Sequence, residues 1–198
     1  MKYFSSFVLL FFFLNSYSFL SKPETFSVPI KTDSTNAQIE VCLHPVDKKT
    51  NENKLYYWVE AKKMHRTRGA YSGKLAHGKF EEKFKNGRLK RKGEFKFGLK
   101  QGKWITWDQK GMITQIVFWN KGSLTKKEFY TSKGKLIQSI EYKDGIKHGK
   151  NLNYDASGNS KILYYKKGEI YTKKKLKDIK FKKKKPEINE ESNPEEKN

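Results

Sequence analysis

The sequence predicts an all-β protein: an elongated, twisted, single-layer antiparallel sheet of repeated β-hairpins. Three observations carry that expectation. Glycines recur in registers with a period of 23 to 25 residues, the signature of a repeat architecture. Between the glycines, apolar and polar residues alternate with period two: Phe80 and Phe84 fall on one face, as do Ile116 and Phe118, and Leu152 and Tyr154. No proline occurs between Pro45 and Pro186, where it would delete a ladder hydrogen bond in a central strand. A helical reading would instead place a glycine inside a helix every few residues, each costing about 1 kcal/mol relative to alanine.

Taken in order, residues 1–18 read as a secretory signal. Lys2 supplies the charged start, residues 7–14 the apolar run, and Ser16 and Ser18 the small residues before a cleavage point. The run is shorter than the roughly 20 residues that span a bilayer. Residues 19–53 contain Pro23, Pro29 and Pro45 and no glycine; they read as a flexible lead-in with one short extended piece at 39–43. A β-branched and aromatic stretch at 55–59 opens the strand-forming region, which extends over residues 54–171. Residues 172–198 form a lysine block followed by an acidic block, a pattern typical of disordered tails.

The glycines fall into sets. Gly73, Gly98, Gly122, Gly145 and Gly168 form one register; Gly87, Gly111, Gly134 and Gly158 form a second; Gly78, Gly102 and Gly149 form a third, with one copy skipped. All twelve are expected as turn glycines. Asn86-Gly87 and Asp144-Gly145 are strong type I′ dipeptides, because that turn needs positive φ at both central residues.

The repeating unit G-x-x-x-G-K-(W/F)-x6-G-x-(I/L), closed by an aromatic, resembles the MORN repeat variant found in bacteria. Gly98, Gly102, Trp104, Gly111 and Trp119 carry the resemblance in the best copy. Gly73, Gly78, Phe80, Gly87 and Phe95 carry it in the first copy. Gly145, Gly149, Gly158 and Tyr165 do so in the fourth, where Asn151 replaces the aromatic. The third copy departs most: Lys127 stands near the second glycine position, while Phe129, Gly134 and Tyr142 remain. The likeness covers roughly residues 69–171. It implies a run of hairpins in a twisted sheet, with protein-binding or membrane-associating roles. Some bacterial members carry an antitoxin label, which a secretory signal argues against.

Net charge is +22, carried almost entirely by lysine, with arginine only at Arg66, Arg68, Arg88 and Arg91. Nucleic-acid readers lean on arginine, and an exported chain would not meet nucleic acid, so no such partner is expected. The single cysteine, Cys42, excludes an intramolecular disulfide. His44, His65, His77 and His148 show no zinc spacing, and no Gly-rich phosphate loop precedes a helix. No catalytic residue, metal or cofactor is therefore expected. What remains is a surface of aromatics among lysines, with Trp104, Trp107, Trp119, Tyr142 and Tyr165 as the candidate binding face. The residues point to an exported, periplasmic or secreted, non-enzymatic module that binds another protein of the bacterial envelope. The alternative is a binder of anionic lipid, lipopolysaccharide or glycan through lysine and aromatic ladders. Open sheet ends at 55–59 and near Tyr171 invite pairing with another chain, and the oligomeric state is left open.

Overall fold

A computed structural model describes residues 23–171; the expected signal at 1–18 and the charged tail at 172–198 lie outside them. The described chain contains thirteen strands. They are β1 (Thr25–Lys31), β2 (Thr35–Cys42), β3 (Leu55–Glu60), β4 (Lys63–Arg68), β5 (Lys74–Phe84), β6 (Leu89–Lys96) and β7 (Leu99–Trp107), followed by β8 (Ile113–Asn120), β9 (Ser123–Tyr130), β10 (Leu136–Lys143), β11 (Ile146–Tyr154), β12 (Ser160–Lys166) and β13 (Glu169–Tyr171). The main path runs β1-β2-β5 and then consecutively to β13. Every pairing is antiparallel, and the sheet stays open.

Two expectations need correction. Residues 19–53 are not a flexible lead-in throughout, because 25–42 form a hairpin inside the sheet. Thr35, Ala37, Ile39 and Val41 alternate with Asn36, Gln38 and Glu40, and Ile39 and Val41 are fully buried. Pro29 is tolerated because β1 is an edge strand, paired only with β2. The 55–59 stretch is also not a sheet end. It lies in β3, which is flanked on one side by β4 and on the other by the start of β5, through Trp58↔Leu75 and Val59↔Lys74.

The β3–β4 hairpin leaves the main path and folds as a flap over one face of β5–β7. Tyr57 packs on Phe95, with centroids 5.0 Å apart, and Val59 and Met64 join the cluster of Ile39, Phe80, Phe95 and Trp104. Phe80, Phe95 and Trp104 meet one another at 4.8–5.8 Å in stacked and edge-on geometries, arrangements that add to area burial. Backbone bonds fix the flap: Tyr57 N donates to Gly98 O, and Gly98 N to Ala76 O, both at 2.7 Å. On its outer side Trp58 packs with Cys42, Tyr56 and Leu75. Cys42 is 1% exposed and burial pushes its thiol up, so it is a packed small hydrophobe rather than a reactive thiol.

Two turn types alternate along the meander and occupy opposite rims. One rim carries two-residue turns at Phe97-Gly98, Lys121-Gly122, Asp144-Gly145 and Lys167-Gly168, with positive φ at both positions. These are type I′ turns, whose twist matches the flanking strands. The other rim carries three-residue turns ending on Gly87, Gly111, Gly134 and Gly158. In each, the glycine N–H returns to a carbonyl three residues earlier. Asn86-Gly87 is thus not type I′: only Gly87 has positive φ. Asp108 and Thr131 stabilise their turns by accepting two backbone N–H bonds each.

Gly73 is not a turn glycine either. Its backbone is outside the positive-φ region, and a Cβ there would lie 2.5 Å from the Val59 carbonyl oxygen and 2.7 Å from the Trp58 ring. Close approach of the flap requires it. Gly78 and Gly149 sit at bulges where the next N–H, of Lys79 or Lys150, is taken at 2.8 Å by Glu40 or Glu141 of the neighbouring strand. The third register thus marks bulges rather than turns: Gly102, also expected as a turn glycine, lies within β7 at a register shift against β6.

Candidate functional site: an open aromatic face and a basic cleft

Strand register sorts the candidate residues by face. On the face that the flap partly covers, directly paired residues form a row across the sheet. It begins Val28↔Ile39↔Phe80↔Gly93 and continues Trp104↔Val117↔Lys127↔Ile140↔Asn151↔Leu163. The first half is apolar and roofed by the flap. In the second half lysine and asparagine interrupt the row, and no flap covers it.

The five sequence-predicted residues do not share one exposed face. Trp104, Trp119, Tyr142 and Tyr165 lie on the flap face, whereas alternation puts Trp107 on the reverse. Trp104 is also only 3% exposed: it is a core residue, and its ring covers Gly93, where a Cβ would meet it at 2.2 Å. Trp119, Tyr142 and Tyr165 are half-buried and recur at the repeat interval, Trp119 at the edge of the flap, where Leu55 and Tyr57 line a hollow with it, and Tyr142 and Tyr165 across the open half. Lysines sit over these rings. Lys100 Nζ is 5.0 Å from the Trp119 centroid, Lys127 5.8 Å from Tyr142, and Lys147 5.3 Å from Tyr165. Each distance is within cation–π reach. The lysine and aromatic ladder expected from the sequence is present, with three rungs.

A cleft of about 310 Å³ lies between the flap and the sheet. Phe80, Phe95 and Trp104 form its floor; Tyr57, Met64, His65 and Arg66 line the flap side; Arg91 and Lys100 stand on the sheet. His65 is held by stacking on Trp58, with centroids 4.4 Å apart. Arg91 is committed in part, donating from Nε and Nη2 to Glu82 Oε2 at 3.1 and 2.7 Å. Lys90 donates to the other Glu82 oxygen at 3.1 Å. Burial raises the Glu82 carboxyl, but Arg91 and the hydrogen bonds from Lys90, Thr35 and Arg91 outweigh it and hold the group below the ordinary carboxylate range.

Lys100 differs. Its ammonium lies among rings, 4.4 Å from Trp104 and 5.3 Å from Tyr57, and no carboxylate pairs with it among the described residues. Burial first, and then the charges of Arg91, Arg66 and Lys127, lower its pKa from 10.5 to about 8. Beside it, Trp119 Nε1 is buried without a hydrogen-bond acceptor. Lys100 and Tyr57 also line a second hollow of about 620 Å³ that includes Trp119 and Ser123.

No family model, curated protein or solved structure matches this chain. The site therefore rests on its own geometry. Among the described residues, no group of three His, Cys, Asp or Glu side chains is placed to hold a metal, and no helix is long and apolar enough to cross a membrane. The cleft residues Tyr57, Arg66, Arg91 and Lys100 escape sequence reasoning because they come from four strands that only the flap brings together. One signal was available: two of the four arginines in a lysine-rich chain converge here.

Proposed function

We propose that this chain is an exported, non-enzymatic binding module of the bacterial cell envelope, built from divergent MORN-like hairpins. It docks an acidic surface of another envelope protein on the uncovered face of β8–β13. The observation that carries this reading is the pair of half-buried Tyr142 and Tyr165 on that face, each with a lysine over its ring, which continues the row that Trp119 and Lys100 begin at the edge of the flap. Aromatics supply contact area at low entropic cost, and lysines favour an acidic partner and speed encounter. The net charge of +22 supports the same polarity of partner.

The test is a pull-down from envelope extract with the full chain and with a Lys127→Glu, Lys147→Glu double variant. A reproducible acidic partner, lost in the variant, is expected. No reproducible partner, or equal capture by the variant, contradicts the reading.

The charged ladder itself favours a second reading, binding to anionic lipid, lipopolysaccharide or glycan. Co-sedimentation with anionic and neutral vesicles separates the two. Lipid binding should follow the anionic fraction and weaken with salt, because exposed charges are screened within about 8 Å at physiological ionic strength. Equal binding to neutral vesicles argues against it.

A further inference from the structure

The cleft under the flap carries charge that the protein itself does not balance. Arg91 shares the single charge of Glu82 with Lys90. Arg66 and Lys100 have no carboxylate partner among the described residues, so the cleft holds at least two uncompensated positive charges. Burial normally makes an ammonium find a partner or lose its proton. Lys100 is instead held between rings, close to the guanidinium groups of Arg91 and Arg66. Donors converge here, and the missing element is an acceptor with negative charge.

We propose that this cleft binds a small phosphorylated molecule, whose phosphoryl group is held by Lys100 and Arg66 with the free edge of Arg91. Charge selects this class. A phosphate monoester carries about −1.5 to −2 at neutral pH, which matches the two unpaired cations, whereas a carboxylate would leave one of them unbalanced. Geometry selects it as well: guanidinium forks suit phosphate oxygens, and a hollow of about 310 Å³ is at the small end of ligand-site volumes. The aromatic floor lowers the dielectric on one side of the cleft and so strengthens the charge pairing there.

The flap couples the site to folding. Arg66 comes from β4, and Lys100 and Arg91 come from the sheet, so the ligand would pin one layer to the other. The lowered pKa of Lys100 gives the site a pH limit: above about pH 8 the ammonium loses its proton and affinity falls. The cleft shares Lys100 with the lysine and aromatic ladder, but Arg66 and Arg91 belong to the cleft alone, so Arg66→Gln separates the two sites.

The test is calorimetric titration of the full chain with phenyl phosphate, inorganic phosphate and benzoate, alongside Arg66→Gln, Lys100→Met and Lys147→Gln variants. Saturable one-to-one binding of phenyl phosphate is expected, with inorganic phosphate weaker and benzoate at least tenfold weaker. Arg66→Gln and Lys100→Met should each weaken binding about tenfold or more, and Lys147→Gln should leave it unchanged. Arg66 is an exposed side chain on the flap, so its variant tests the site even where Lys100→Met perturbs packing. No saturable binding overturns the proposal. So does benzoate binding equal to phenyl phosphate, or equal loss in all three variants, which would mark diffuse surface charge.

Discussion

The two halves of the sheet follow one strand grammar and reach different energetic solutions. In the first half, the position that packs under the flap is Phe80 or Trp104, 2% and 3% exposed. In the last full repeat the corresponding residue is Asn151, equally buried at 3% but bonded within a polar cluster: Asn153 Nδ2 donates to Asn151 Oδ1, and Gln138 Nε2 to Asn153 Oδ1. The repeat thus specifies hairpins, whereas the flap specifies a core. Where β3–β4 supplies a second layer, large aromatics become buried and hold the fold. Where it is absent, Ile140 and Asn151 are still buried, but the aromatics of that face are only half-buried and are left beside lysines.

Substitutions at matched positions sharpen that contrast. The largest effect is expected at Trp104→Ala, which removes a ring touching Phe80, Phe95 and Gly93 and should cost about 3–5 kcal/mol by denaturant unfolding. Tyr165→Ala, at a half-buried ring of the open half, should cost about 1 kcal/mol. Equal losses would break the comparison. Next is Gly93→Val. A side chain there meets the Trp104 indole at 2.2–2.6 Å, an overpacking worth about 1–3 kcal/mol. Gly134→Ala has open space around it and should cost only the left-handed strain of its φ of +76°, roughly 1 kcal/mol.

The smallest effect is expected at Lys100. Because its pKa falls from 10.5 to about 8 on folding, the unfolded chain binds more protons between those values. Stability should therefore rise as pH increases from about 8 to 10.5, and the destabilising charge is fully present below pH 8. Lys100→Met should stabilise the protein at pH 7 by an amount on the order of 1 kcal/mol, since lost cation–π attraction offsets part of the gain. It should also flatten the alkaline rise. A variant less stable than the parent at pH 7 would contradict this assignment.

Much of the architecture was legible in the residues. The glycine spacing, the period-two alternation and the proline-free span together anticipate an open antiparallel sheet of hairpins, and the strand at 55–59 forms as β3. The extended piece expected at 39–43 forms the end of β2, but the rest of the β1–β2 hairpin is not legible, because Pro29 and many small polar residues mask its alternation. Thr35, Ala37, Ile39 and Val41 were nevertheless in the correct phase. The turn at Asn86-Gly87 was misassigned because a glycine at the third turn position looks locally like a type I′ pair. The flap could not be read, because folding a hairpin onto a sheet depends on contacts such as Tyr57 with Phe95, 38 positions apart, which leave no periodic trace. For the same reason Trp104 looked like a surface residue and Lys100 did not stand out at all.

Native-state hydrogen exchange tests the two-region account most directly. Amides of β2, β5, β6 and β7, buried between sheet and flap, should exchange only with global unfolding. Those of β11, β12 and β13 should exchange by local opening, with markedly lower protection. Uniform protection across the sheet, or stronger protection in β11–β13 than under the flap, would contradict the claim that the flap alone turns this run of hairpins into a core.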